Sequence, residues 1–159
     1  MVCPEVHVRI WVDADACPRA VKDILYRASA RTGVEVVLVA NQALHIPTQT
    51  GVRLVTVGQG FDVADEHISA QVQPGELVVT QDIPLAADVV ERGATCIDPR
   101  GEVIDAENAR ARLRVRDLME TLRESGEMTG GPKAWSQRDA HRFAAALDRW
   151  LSKRPRTAP

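Results

Sequence analysis

The chain has 159 residues, 45% of them hydrophobic, enough for one buried core and no more than one domain is called for. Its 20 Lys plus Arg against 22 Asp plus Glu leave a net charge of −2, which excludes a global electrostatic attraction to nucleic acid or anionic membranes and confines any such contact to a local patch. No run approaches the roughly 20 apolar residues of a membrane span, and the N-terminus lacks the basic-then-apolar pattern of a secretory signal, so the sequence points to a cytoplasmic protein.

The first strand is expected in VHVRIWVD (6–13), followed by a helix that starts at Pro18 and closes at Gly33. VEVVLVA (34–40) and VRLVTV (52–57), rich in β-branched residues, read as the second and third strands across the polar loop NQALHIPTQTG. GELVVT and ATCID supply the fourth and fifth, with a helix from Pro84 to Gly93 between them. Strands alternating with helices imply an α/β three-layer sandwich around a mainly parallel five-stranded sheet. From about Asp105 onward the β signal ends. A charged helix runs to about Glu124, the loop GEMTGGPKAW follows, and a last helix opens with a Ser136/Asp139 capping box and buries Phe143, Leu147, Trp150 and Leu151. These two C-terminal helices are expected to pack onto the sheet. Residues 1–154 then form one domain and 155–159 a frayed tail.

Three segments carry the candidate chemistry: VDADACP (12–18), FDVAD (61–65) and VVTQDIPLA (78–86). Asp13 closes the first strand and Asp15 lies two residues on; with Cys17 just before Pro18, two upstream aspartates exceed what helix capping needs. Asp62 and Asp65 match a capping pattern, and Asp82 before Pro84 could also be a cap. In a sheet of order 3-2-1-4-5, however, strands one and four meet at the switch point, so Asp13 and Asp82 flank one crevice and Thr80 can add a hydroxyl. Two carboxylates about 4 Å apart repel by about 4 kcal/mol at an effective dielectric of about 20, so such a cluster calls for a cation. Oxygen-only ligands suit Mg²⁺ or Mn²⁺, which activate water and clamp phosphodiester oxygens.

The segment LVVTQDIPLAADVVERGATCID resembles the T-x-D-x-x-LA unit of PIN-like nucleases, with Asp65 as an upstream acidic residue. VDADACP, ILYRA, VANQ, GFDVAD, TQDIPLA, DPRGE, MTGGP and SQRD together resemble the YaiI/YqxD family of bacterial proteins from about Ile10 to Trp150. That resemblance implies a PIN-like domain with sheet order 3-2-1-4-5 and divalent-metal ribonuclease chemistry. Carried over, Asp13, Asp65 and Asp82 are the metal ligands and, with Asp15 as a fourth ligand or a carboxylate supporting them, form the catalytic set. The glutamate that PIN nucleases carry on an early helix has no counterpart, since Glu35 falls in a strand and Asp23 on a helix surface.

RNA is the expected partner. Asn41, Thr80, Arg112, Arg116, Gly130 and Gly131 are candidate substrate contacts: Arg112, Arg116 and Arg123 share one side of the charged helix, while Val115, Leu118, Met119 and Leu122 share another. The three cysteines lack zinc spacing, and neither a dinucleotide fingerprint nor a phosphate-binding P-loop is present, so no nucleotide cofactor is expected. Two other functions compete with the ribonuclease. One is a haloacid-dehalogenase-like phosphatase with Asp13 as nucleophile and Asp15 as acid, although the lysine and late acidic pair it needs are missing. The other is a non-catalytic, metal-stabilised module that binds RNA or a partner.

Overall fold

The computed structural model describes residues 8–60, 62–126 and 133–154. Six strands and five helices follow in the order β1 (Arg9–Asp13), α1 (Arg19–Thr32), β2 (Glu35–Ala40), β3 (Val52–Thr56), α2 (Val63–Gln71), β4 (Leu77–Val79), α3 (Ile83–Glu91), β5 (Thr95–Ile97), β6 (Val103–Ile104), α4 (Ala109–Glu124) and α5 (Gln137–Lys153). The sheet order is β3-β2-β1-β4-β5-β6, parallel throughout except for β6, which runs antiparallel to β5.

Alternate residues of each central strand feed two separate cores. Ile10, Val12, Val36, Leu38, Leu77 and Val79 point to the side covered by α1 and α5, whereas Trp11, Val37, Val39, Val78 and Cys96 point to α2 and α3. Burial on both faces explains why these strands read as unbroken apolar runs. The Ser136/Asp139 capping box forms, and Gly33 closes α1 in the left-handed conformation, as the sequence suggests. Phe143, Leu147 and Leu151 are buried on α5, with Trp150 half-buried beside them.

Two expectations need correction. The sheet has six strands rather than five. β6 is only two residues long, too short to show alternation; a tight turn creates it, in which Asp98 Oδ1 accepts the Arg100 and Glu102 amides at 2.9 Å and Gly101 adopts φ +88°. The apolar stripe of α4 does not face the sheet either. α4 docks beside α3, with Val115 and Leu118 left 53% and 56% exposed. The tail 155–159 lies outside the described residues.

The central pair β1 and β4 is joined by a buried acid. Glu76, 1% exposed just before β4, accepts hydrogen bonds from Trp11 Nε1 (3.0 Å), the Arg9 amide (2.9 Å) and the Gln73 amide (2.7 Å). A buried carboxylate is tolerated only when so satisfied. Replacing Glu76 by Ala orphans three donors at about 1 kcal/mol or more each. The expected loss is roughly 3 kcal/mol, or about 6 to 12 °C in Tm for a chain of this size. Thermal unfolding followed by circular dichroism checks this; a loss below about 1 kcal/mol contradicts it.

Candidate metal centre

The carboxyl edge of the sheet gathers the acidic side chains. β1 and β4 are neighbours, and the buried Thr80, immediately after β4, links their ends. Its hydroxyl donates to Asp13 Oδ2 at 3.0 Å and accepts the Asp82 amide at 3.0 Å. Asp82 then caps α3, with Oδ1 accepting the Leu85 amide at 3.0 Å. Capping therefore accounts for one bond of Asp82 but not for its company.

That company is Asp62 and Asp65. Each of Asp62, Asp65 and Asp82 offers a carboxylate oxygen, all within 4.8 Å of one another. The capping role that the D-x-x-D spacing suggests for Asp62 is not realised: it occupies the residue before α2, yet its side chain makes no cap bond. Its backbone is left-handed at φ +64°, unlike any other non-glycine among the described residues. Asp tolerates this region better than most residues, but the conformation still costs on the order of 1 kcal/mol, a strain typical of sites where the side chain is needed elsewhere.

The electrostatics follow from this crowding. Burial, a hydrogen bond with Asp82 and the charges of Asp82, Asp13 and Asp62 push the Asp65 carboxyl up to about 7 from an ordinary 3.8. Asp13 is also raised, first by burial, against the Thr80 hydroxyl that lowers it, and further by Asp82 and Asp15. Asp13 thus feels the cluster without joining the group of three. Asp15 turns to a different task, its Oδ2 accepting the Asn41 amide at 2.7 Å and so tying the loop after β1 to the end of β2.

Asp62, Asp65 and Asp82 line a cleft of about 610 Å³ between α2, α3 and α4, together with Glu66, Asp88, Arg92 and Arg116. Of the expected substrate contacts, Arg116 lines this cleft, held by Asp117 (3.3 Å) and Glu120 (3.1 Å). Arg112 instead pairs with Glu102, Asn41 is not among the lining residues, and Thr80 is buried between the two strand ends. Gly130 and Gly131 lie outside the described residues. Glu35 pairs with Arg9 and Arg53. Cys17 is buried and its thiol pushed up to about 12, chiefly by desolvation, so it stays protonated at neutral pH.

Against known proteins, residues 11–153 match the profile of the family "Uncharacterized BCR, YaiI/YqxD". The chain belongs to the YaiI/YqxD family. Similar relatives, each named "UPF0178 protein", come from Halorhodospira halophila (56% identity, covering 93% of this chain and 98% of the relative), Hahella chejuensis (55%, 92% and 97%) and Myxococcus xanthus (55%, 96% and 99%). No solved structure gives a significant match. Among the described residues of this YaiI/YqxD chain, no helix is long and apolar enough to cross a membrane.

Sequence reasoning left the role of Asp62 open between a helix cap and a site carboxylate and passed over Glu66, Asp88 and Arg92. The signal was available in helical spacing. Asp62, Asp65, Glu66 and Ser69 recur three and four residues apart along α2, as do Leu85, Asp88 and Arg92 along α3, which places each set on one face. Ser69 donates a hydrogen bond to Asp88 across the two helices.

The raised Asp65 carboxyl has a stability consequence in chelator-containing buffer. A group whose folded pKa lies above its unfolded value contributes stability that is present below about pH 4 and lost as pH rises through about 7. Asp65→Asn removes this penalty. It is expected to be more stable than the wild type at pH 8 by on the order of 1 kcal/mol, after discounting for solvent screening, with the advantage largely gone at about pH 3.5. Thermal melts of both proteins at the two pH values check it; a variant less stable than the wild type at pH 8 contradicts it.

Proposed function

We propose that this protein is a divalent-metal-dependent ribonuclease that hydrolyses RNA phosphodiester bonds at the carboxyl edge of its sheet. The observation that carries the reading is the convergence of Asp62, Asp65 and Asp82 within 4.8 Å at a cleft that also holds Arg92 and Arg116. The donor set fits the group. It is composed of carboxylate oxygens, suits Mg²⁺ or Mn²⁺, and carries a mutual repulsion, expressed in the raised Asp65 carboxyl, that a cation relieves. The resemblance of the Thr80/Asp82 segment to PIN-like nucleases supports the same reading.

Asp62, Asp65 and Asp82 would hold the ion, with Asp13 lending a nearby negative charge from the end of β1. When bound, such an ion stabilises charge on the phosphodiester and makes water more nucleophilic. Thr80 keeps Asp13 and the Asp82 backbone in fixed relation, so the acidic edge is organised before substrate arrives. Arg92 and Arg116 would take up phosphate oxygens farther along the cleft, each already oriented by an acidic neighbour.

A second reading is a metal-stabilised module that binds RNA or a partner without cleaving it. The excess of carboxylates over arginines along the cleft favours it, because bare acids repel RNA. One experiment separates the two. Purified protein with Mg²⁺ or with Mn²⁺ is incubated with diverse single-stranded and structured RNAs, alongside Asp82→Asn, which keeps a good helix cap while losing the charge. The ribonuclease reading expects cleavage that falls roughly 100-fold or more in the folded variant. Intact RNA with either ion, or cleavage undiminished in Asp82→Asn, overturns it.

A further inference from the structure

The lysine and arginine residues of α5 are Arg138, Arg142, Arg149 and Lys153, spaced four, seven and four residues apart. At 3.6 residues per turn they fall within an arc of about 60° and form one ridge roughly 22 Å long. All four are exposed. A charged helix face is ordinarily neutralised from within the protein, as Arg116 on α4 is by Asp117 and Glu120. The ridge of α5 is not. Both acidic residues of α5 are committed to cations on other elements, Asp139 to Arg100 and Asp148 to Arg31, each at 3.0 Å. Among the described residues no ion pair engages any of the four ridge residues. In a chain of net charge −2, such a line of uncompensated cations is a concentrated local field.

The ridge has a cavity at each end. At the carboxyl edge of the sheet, Arg138 and Arg142 line a pocket of about 360 Å³ with Arg100 and Lys133. Glu102 also lines it but is taken up by Arg112. Gly101 makes this junction possible, because the turn after β5 rests against the Arg142 backbone, where a Cβ would collide. At the amino edge, Arg149 and Lys153 border a second pocket of about 360 Å³, lined also by the half-buried Trp150, Ile97 and Val103. An indole among cations suits a single-stranded polynucleotide, the ring offering a face to a base and the cations meeting phosphates. A bilayer surface is disfavoured, because the exposed large apolar side chains among the described residues lie on β6 and α4 and none on α5. We infer that the basic ridge of α5 binds single-stranded RNA along its backbone, starting from the carboxyl edge that also carries the acidic cluster. That RNA is the polyanion rests on the ribonuclease reading; the ridge itself rests on charge and shape.

Fluorescence anisotropy of a labelled single-stranded RNA of about 20 nucleotides, titrated with the full chain in EDTA so that cleavage cannot intervene, tests this. Four phosphate contacts predict a slope of about −2.8 in log affinity against log salt, hence roughly 50-fold weaker binding at about 200 mM salt than at about 50 mM. Arg142→Gln with Arg149→Gln, at exposed sites where circular dichroism should be unchanged, should lower affinity at least about tenfold and bring the slope to about −1.4. Arg27→Gln with Arg110→Gln removes the same charge from exposed sites on α1 and α4 and should bind as the wild type does. No binding by the wild type at about 100 µM protein and about 50 mM salt overturns the inference. So does a ridge variant that binds like the wild type, a control variant as weak as the ridge variant, or tighter binding to phosphatidylserine vesicles than to RNA. Cleavage is assayed separately with metal present, so a ridge that binds without hydrolysis and a nuclease without this ridge are distinguishable.

Discussion

The pairing of β1 with β4 is the constraint on which the arrangement rests, because it joins segments some 65 residues apart and is clamped at both ends. At the amino end, Glu76 accepts the Arg9 amide and the Trp11 indole; at the carboxyl end, Thr80 donates to Asp13. A one-residue slip would move Trp11 and Val78 to the opposite core and break both clamps. Because the register holds, Asp13 and Asp82 arrive at one edge, and α2 and α3, packed on the same side of the sheet, bring Asp62 and Asp65 to them.

That edge is electrostatically unfavourable as it stands. Folding brings together carboxylates that would disperse in the unfolded chain, and the raised Asp65 and Asp13 groups record the cost. The left-handed backbone of Asp62 adds a further cost with no capping bond in return. The clamps and two well-packed cores supply the stability against which such a site can be maintained. A divalent cation would turn the same repulsion into binding energy, the physical core of the functional proposal.

Much of the architecture was legible in residue pattern. The β-branched runs of β1, β2 and β3 and the Pro and Gly signals around α1 and α3 carry local structure strongly, and alternation of strand and helix implies the parallel sheet. The joint position of Asp13, Thr80 and Asp82 followed from strand order. What escaped was set by tertiary context. β6 exists because Asp98 and Gly101 make a turn, Asp62 reads as a cap because spacing cannot reveal its left-handed φ, and Glu76 sits in what looks like a polar turn. Periodicity located the apolar stripe of α4 but not its direction, since a helix can present such a face to its own core or to another molecule.

The most direct measurement is isothermal titration of Mn²⁺ into the wild type and into Asp62→Asn, Asp65→Asn and Asp15→Asn, with folding checked by circular dichroism. The account predicts saturable binding that weakens at least about tenfold in the Asp62 and Asp65 variants and persists in Asp15→Asn, whose carboxylate is occupied by the Asn41 amide. No saturable binding by the wild type, or binding undiminished in folded Asp62→Asn and Asp65→Asn, would contradict it.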